Sequence, residues 1–279
     1  MDNKNLKQKA KTWWDENPFN YNVVESEGSW EYFRNIDRKI IKWMPYAQSK
    51  YPLLSNFIDY KILKNKRVLD IGCGAGWSSE QFVRMGSEVT AIDITPKAVE
   101  LTKKRFKLYG LKADILIADV EHLPFPDNYF DYVLAWGVVM HTPNTDKAVD
   151  EIWRVLKPGG KAGAMMYHKN SLKWWYFIWF AKGVLRLKLL KYSHQELSDR
   201  YTDGAYTGGN MHTKFYTKSG LYNLWHKFRT VRVGIHDNLG TIDQLPYRKF
   251  PLAKYFLPTF IKKFLVLKFG GYAWIDAKK

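Results

Sequence analysis

Val68-Leu69-Asp70-Ile71-Gly72-Cys73-Gly74-Ala75-Gly76 is an apolar run that breaks into three glycines at alternate positions. The run has the length and composition of a buried strand, and the segment after it reads as a helix. Glycines at such a junction let the chain turn tightly and bring its backbone close to a ligand. The free amides at the helix start favour an anionic group. By itself the loop suits NAD, FAD or S-adenosylmethionine. A second acid, Asp93, closes the next apolar run, where a carboxylate can accept from both hydroxyls of a ribose.

Outward from this loop the same rhythm repeats. Apolar runs at 67–71, 89–93, 113–118, 131–136 and 161–167 alternate with amphipathic stretches at 77–85, 96–109 and 145–156. The helical stretches stop at Gly86, Gly110 and Pro158-Gly159-Gly160, and the second begins with a Thr95 cap and Pro96 in first position. Five strands with helices between them predict an α/β fold with a parallel sheet covered on both faces. After Tyr167 the rhythm breaks, resumes as a helix near 219–228 and a strand at 230–236, breaks again, and closes with a strand at 272–277. Strands five and six would end on the same carboxyl edge, so the irregular insertions 168–217 and 237–270 are expected where doubly wound folds bind ligands. Residues 1–60 read as a separate N-terminal cap or lid ahead of a ligand-binding domain at 61–279.

Spacing narrows the cofactor. A dinucleotide fingerprint wants Gly-x-Gly-x-x-Gly, whereas this loop is Gly-x-Gly-x-Gly after an aspartate. Together with Ala118-Asp119-Val120, Leu123-Pro124-Phe125, Phe130-Asp131 and Arg154-Val155-Leu156-Lys157-Pro158-Gly159-Gly160, the stretch 67–168 resembles the class I S-adenosylmethionine-dependent methyltransferases. Within them it is similar to the type 11 group, relatives of the ubiquinone, menaquinone and small-molecule methyltransferases. The resemblance implies a Rossmann-like seven-stranded sheet of order 3-2-1-4-5-7-6 with the last strand antiparallel. It also implies donor contacts. Gly72, Gly74 and Gly76 would face the methionine part, and Asp70 would support its ammonium. Asp93 would hold the ribose, Ile94 would pack on the adenine, and Asp119 and Val120 would meet its edge. Trp136 would stand near the transferred methyl.

A sulfonium methyl is already activated, so alignment and exclusion of water are the main tasks in an in-line displacement. Where the acceptor is a hydroxyl, a histidine can take its proton. His168, just past the fifth strand, and His141, just past the fourth, are the catalytic candidates by position. Tyr167, His212 and Tyr216 are candidates for the acceptor pocket. Trp14 and Tyr21 could fold over the site, since aromatic faces attract a sulfonium, or could instead dock the N-terminal segment. No histidine pair has ligand spacing on a helix face and Cys73 is the single cysteine, so no metal site or disulfide is expected.

The net charge of +17 is unevenly placed: residues 1–150 hold 21 basic and 20 acidic side chains, whereas 151–279 hold 23 and 7. In the second half the cations interleave with aromatics, as at Trp174-Trp175-Tyr176-Phe177-Ile178-Trp179-Phe180 followed by Lys182 and Arg186. This pattern suits an anionic membrane surface beside a hydrophobic or lipid-linked acceptor, or alternatively a walled pocket for a soluble apolar one. Nucleic acid is disfavoured: the place after strand four reads Trp136-Gly137-Val138-Val139-Met140, without the Asn/Asp-Pro-Pro-aromatic motif of base methyltransferases. No apolar run approaches the roughly 20 residues of a membrane span. A cytoplasmic protein, peripheral on the inner face of a membrane, is the expectation.

Overall fold

A computed structural model describes residues 3–18, 25–44, 52–203, 212–237, 239–243, 245 and 252–279. Two helices lead in, α1 (Asn3–Glu16) and α2 (Trp30–Trp43). The sheet follows with β1 (Arg67–Ile71), α3 (Trp77–Arg84), β2 (Glu88–Asp93), α4 (Pro96–Leu108), β3 (Asp114–Ile117), β4 (Phe130–Trp136), α5 (Thr145–Val155) and β5 (Leu156–His168). A π-helix (Lys173–Val184) and α6 (His194–Tyr201) fill the first insertion, which ends at β6 (Phe215–Tyr216). Then come α7 (Lys218–Leu224), β7 (Thr230–His236), the second insertion with α8 (Leu239–Asp243), α9 (Leu252–Phe256) and α10 (Thr259–Phe269), and β8 (Tyr272–Lys278).

The main path of the sheet is β3-β2-β1-β4-β5-β8-β7, with β8 antiparallel to both neighbours. Without β6 this is the seven-stranded order that the family resemblance implies. The eighth strand, β6, is two residues long and pairs with β5 at Tyr167 and His168, past the last partner of β4 at Met165. So short a strand has no periodicity to read. The inner strands are nearly uniform in apolarity because helices cover both faces: Val68, Leu69, Ile71, Ala91, Ile92, Val133, Leu134 and Ala135 are all buried.

Three glycines of the opening loop adopt left-handed backbone, Gly72 at φ +70°, Gly74 at +58° and Gly76 at +77°. A Cβ on Gly72 would come within 2.2 Å of Val138 Cγ2, so the space as well as the dihedral requires glycine there. Thr95 accepts from Ala98 N at the start of α4, with Pro96 in the first turn. The amphipathic α2 sends Phe33, Ile36 and Ile40 into the same core as the sheet. Its Asp37 receives a two-pronged bond from the buried Arg105 of α4 at 2.9 and 2.6 Å, while Arg105 Nε donates to Glu80 of α3 at 2.6 Å. Three helices thus converge on one guanidinium, whose planar fork suits paired carboxylates.

Candidate active site

The carboxyl edge of the sheet opens into a cavity of 580 Å³. Gly72 and Gly74 from the β1 loop, Asp93 and Ile94 from the end of β2, and Asp119 and Val120 after β3 line one end. Trp136, at the end of β4, lies on the wall between this end and Met165, Tyr167 and Tyr272. Most of the residues expected to hold the donor therefore share one cavity. Gly76 instead caps α3 with its backbone, and Asp70 sits behind the wall.

Asp93 is oriented from both sides. Its Oδ1 accepts from Thr95 N at 3.0 Å and Thr95 Oγ1 at 2.9 Å, and its Oδ2 accepts from Gly74 N at 3.2 Å. Burial pushes its carboxyl above the usual range, against these hydrogen bonds. Asp70 Oδ2 accepts from the hydroxyls of Ser78 and Ser79 at 2.6 and 2.5 Å, and Ser78 faces the cavity. Asp70 can thus reach a ligand through a serine. Desolvation raises its pKa to about 6.

The cap reaches into the same space. Lys7, Ala10, Lys11 and Trp14 of α1 line the cavity. Lys7 Nζ bridges Asp119 Oδ2 at 2.6 Å and Glu121 Oε2 at 2.5 Å, and Asp15 Oδ1 accepts from Lys97 N at 3.0 Å. Asp119, Glu121 and His122 bring ligand atoms within 4.8 Å of one another. In this arrangement the lysine ammonium already serves both carboxylates. Trp77, on the cavity wall, meets Trp136 edge-on at 6.2 Å. Trp14 stands edge-on to His141 at 5.4 Å. Tyr21 lies outside the described residues.

The second end of the cavity is polar at its base. His141 presents Nδ1 to the carbonyl of His212 at 2.9 Å and Nε2 to Asp203 Oδ2 at 3.3 Å. The hydroxyl of Tyr167 donates to Asp203, 2.8 and 2.7 Å from its two oxygens. Burial works to raise the Asp203 pKa, but His141, Lys173 and Tyr167 together hold it below the usual carboxylate range. Asp203, Lys173 and Asp237 are cavity residues that sequence reasoning did not single out. Only folding brings them to one wall.

His168 is placed elsewhere. Successive strand residues point to opposite faces, so Tyr167 faces the cavity and His168 turns away from it. The ring is 3% exposed, and its Nδ1 lies 2.9 Å from the carbonyl of Gly270. Burial lowers its pKa. The position that suggested a catalytic base is here a buried link between β5 and the end of α10. His212 contributes its carbonyl to His141 while its ring lies off the cavity wall, and burial lowers its pKa to about 4. Tyr216 likewise sits off the wall, its hydroxyl donating to Thr145 Oγ1 at 2.9 Å.

Residues 69–163 match the family model described as a methyltransferase domain. Residues 69–163 form a methyltransferase domain of the S-adenosylmethionine-dependent kind. Among curated relatives, the ubiquinone biosynthesis O-methyltransferase of Xylella fastidiosa is 31% identical over 163 residues, 55% of this chain and 65% of the relative. The sterol 4-C-methyltransferase of Caenorhabditis elegans is 37% identical over 103 residues, 36% of this chain and 31% of the relative. The chain thus spans less than two thirds of the length of either relative. A solved protein of Pyrococcus horikoshii covers 96% of this chain and 98% of itself with a TM-score of 0.54 at 18% identity. A methyltransferase of Methanosarcina mazei gives 0.50 at 22% identity over 82% of this chain and 98% of itself. At such identities these two likenesses speak for the fold.

Proposed function

We propose that this methyltransferase passes the methyl group of S-adenosylmethionine to a hydrophobic small-molecule acceptor. The observation that carries the reading is the single cavity with two differently built ends. When bound, S-adenosylmethionine supplies a methyl group made electrophilic by its sulfonium.

The glycine backbone and Ser78 would hold the methionine part, Asp93 the ribose, and Ile94, Asp119 and Val120 the adenine. The cradle at Gly72 fits such a ligand because it leaves no room for a side chain. Trp14, Trp77 and Trp136 would keep water away from the sulfonium and favour its charge. His141 and Tyr167, tied together by Asp203, would orient the acceptor. We assign no role in proton transfer to His168. The named activities of the relatives, on a quinone precursor and a sterol, support an apolar acceptor class without identifying it.

We also read the basic, aromatic insertions as a surface for an anionic membrane. Tyr255, Phe256 and Phe260 are 72%, 76% and 72% exposed, and exposed Lys254, Lys263 and Lys268 lie among them. Exposed aromatic patches of this kind mark interaction surfaces, and lysines beside them favour anionic headgroups. Among the described residues no helix is long and apolar enough to cross a membrane.

The test is product analysis after incubating the protein and methyl-labelled donor with cell extract separated into lipid, small-molecule and nucleic-acid fractions. Label is expected in an apolar small molecule or lipid. Donor binding without label in any fraction would mark a binding protein rather than an enzyme, and label in nucleic acid would overturn the acceptor class.

A further inference from the structure

At the acceptor end the hydrogen-bonding capacity is unevenly used. Asp203 accepts from Tyr167 and faces His141, as described. Asp237 Oδ2 accepts from Gly271 N at 2.7 Å and Oδ1 accepts from Thr241 Oγ1 at 2.8 Å. Both acids of this wall are therefore supplied with donors.

Lys173 is different. It begins the π-helix, whose start is set by buried Ser171: Oγ accepts from Trp174 N at 3.1 Å and the carbonyl accepts from Trp175 N at 2.9 Å. This aims the lysine back over the cavity wall. Its Nζ stands 4.5 Å from the ring centre of Tyr167 and 5.5 Å from that of Tyr272. Among the described residues no carboxylate comes within the 4.0 Å of an ion pair, and no carbonyl or hydroxyl accepts from it. Burial works against its charge, yet Tyr272, Asp203 and Asp237 together keep its pKa above the ordinary lysine value. The cavity thus holds an ammonium with three donors and two aromatic faces beneath it.

We propose that Lys173 recognises an anionic oxygen on the acceptor, so that the acceptor is an apolar molecule carrying a carboxylate or phenolate. This rests on reading the cavity as a methyl-transfer site. The geometry also bears on the choice among acceptor classes. A cationic amine would have to displace the lysine from the faces of Tyr167 and Tyr272 and sit beside its charge. An anionic oxygen instead completes the unused donors and is attracted by the ammonium. The two acids keep the ammonium charged, while their own oxygens are engaged by Tyr167, His141, Gly271 and Thr241.

The experiment uses the full chain saturated with S-adenosylhomocysteine, so that only the acceptor end is open. Two fluorescent probes with one apolar body are titrated: anilinonaphthalene sulfonate, which is anionic, and uncharged phenylnaphthylamine. The wild type is expected to bind the anion about tenfold or more tightly than the neutral probe, the range of a charged hydrogen bond. Lys173→Met should lose that preference while keeping the neutral probe and S-adenosylhomocysteine, and Lys173→Arg should retain it. Benzoate or nitrophenolate should displace the bound anion better than benzamide, and the stronger of the two anions identifies carboxylate or phenolate.

Equal affinity of the wild type for both probes, or an undiminished preference in Lys173→Met, overturns the proposal. If instead the wild type fails to bind S-adenosylhomocysteine, the donor-site reading itself falls. Unchanged cofactor binding with unchanged probe preference sinks only the role of Lys173.

Discussion

Two aspartates stand at the proposed donor site, and their surroundings make different demands. Asp93 is a built hydrogen-bonding hub, with donors from Gly74 and Thr95 that leave it oriented toward the cavity. Replacing it by Ala should weaken S-adenosylmethionine binding about 10- to 100-fold, the loss of hydrogen bonds to a charged group. Calorimetry on Asp93→Ala checks this, with circular dichroism to confirm that the protein is folded; unchanged affinity would remove Asp93 from the donor site. Asp70 titrates near neutrality, at about 6 in the free protein. The cationic end of the donor favours its ionised form, so binding must release a proton once the pH falls below that value. Donor affinity should therefore be level above the pKa and fall by up to about tenfold per pH unit below it. Burial also raises Asp93, so both carboxylates act in the same direction. A profile that stays flat on both sides of the Asp70 pKa would show that Asp70 does not respond to the ligand's charge.

At the scale of elements, one arginine and one lysine join the N-terminal helices to the rest of the protein. Arg105 ties α4 to α2 and α3 through two acids while almost fully buried. Arg105→Met would leave Asp37 without its cation and Glu80 with Arg84 alone, and breaking a buried pair in this way costs about 3–5 kcal/mol. Denaturant unfolding should register that loss; a decrease below about 1 kcal/mol would mean water replaces the guanidinium without strain. Lys7 performs a lighter version of the same task, since it is only partly buried between Asp119 and Glu121. In Lys7→Met the amides of α1 should exchange about fivefold faster, corresponding to about 1 kcal/mol of local opening, while β1 and β4 stay protected. Unchanged exchange in α1 would show that Trp14 and Asp15 alone hold the cap.

The basic insertions make a prediction for the whole molecule. The excess of positive charge and most of the exposed aromatics belong to the half of the chain that follows β5. Flotation should find the protein with anionic vesicles and not with neutral ones, with the bound fraction falling as salt rises. Substituting Phe256 and Phe260 by Ser should reduce that fraction by at least about tenfold, as two side chains worth about 1.5–3 kcal/mol each leave the interface. Equal recovery with neutral and anionic vesicles would exclude the electrostatic reading, and no recovery with either would leave the insertions as cavity walls alone.

Local physics was enough for the donor half. Strand length, glycine and proline stops, and the acids at consecutive strand ends depend on neighbours within a few residues, so the alternation from Arg67 to Tyr167 and the placement of Gly72, Asp93 and Asp119 could be read along the chain. The acceptor half depends on contacts between distant segments. Pleating decides that Tyr167 faces the cavity and His168 does not, and this follows from β8 and β6 docking on β5. Lys173 and Asp203 lie 30 residues apart in the first insertion and Asp237 opens the second, and a linear pattern carries no sign that the carboxyl edge gathers them. Lys7 reaches Asp119 across more than a hundred residues for the same reason. The sequence by itself therefore determined the sheet and the side on which a cofactor would bind, while only the tertiary structure decided which side chains meet the acceptor.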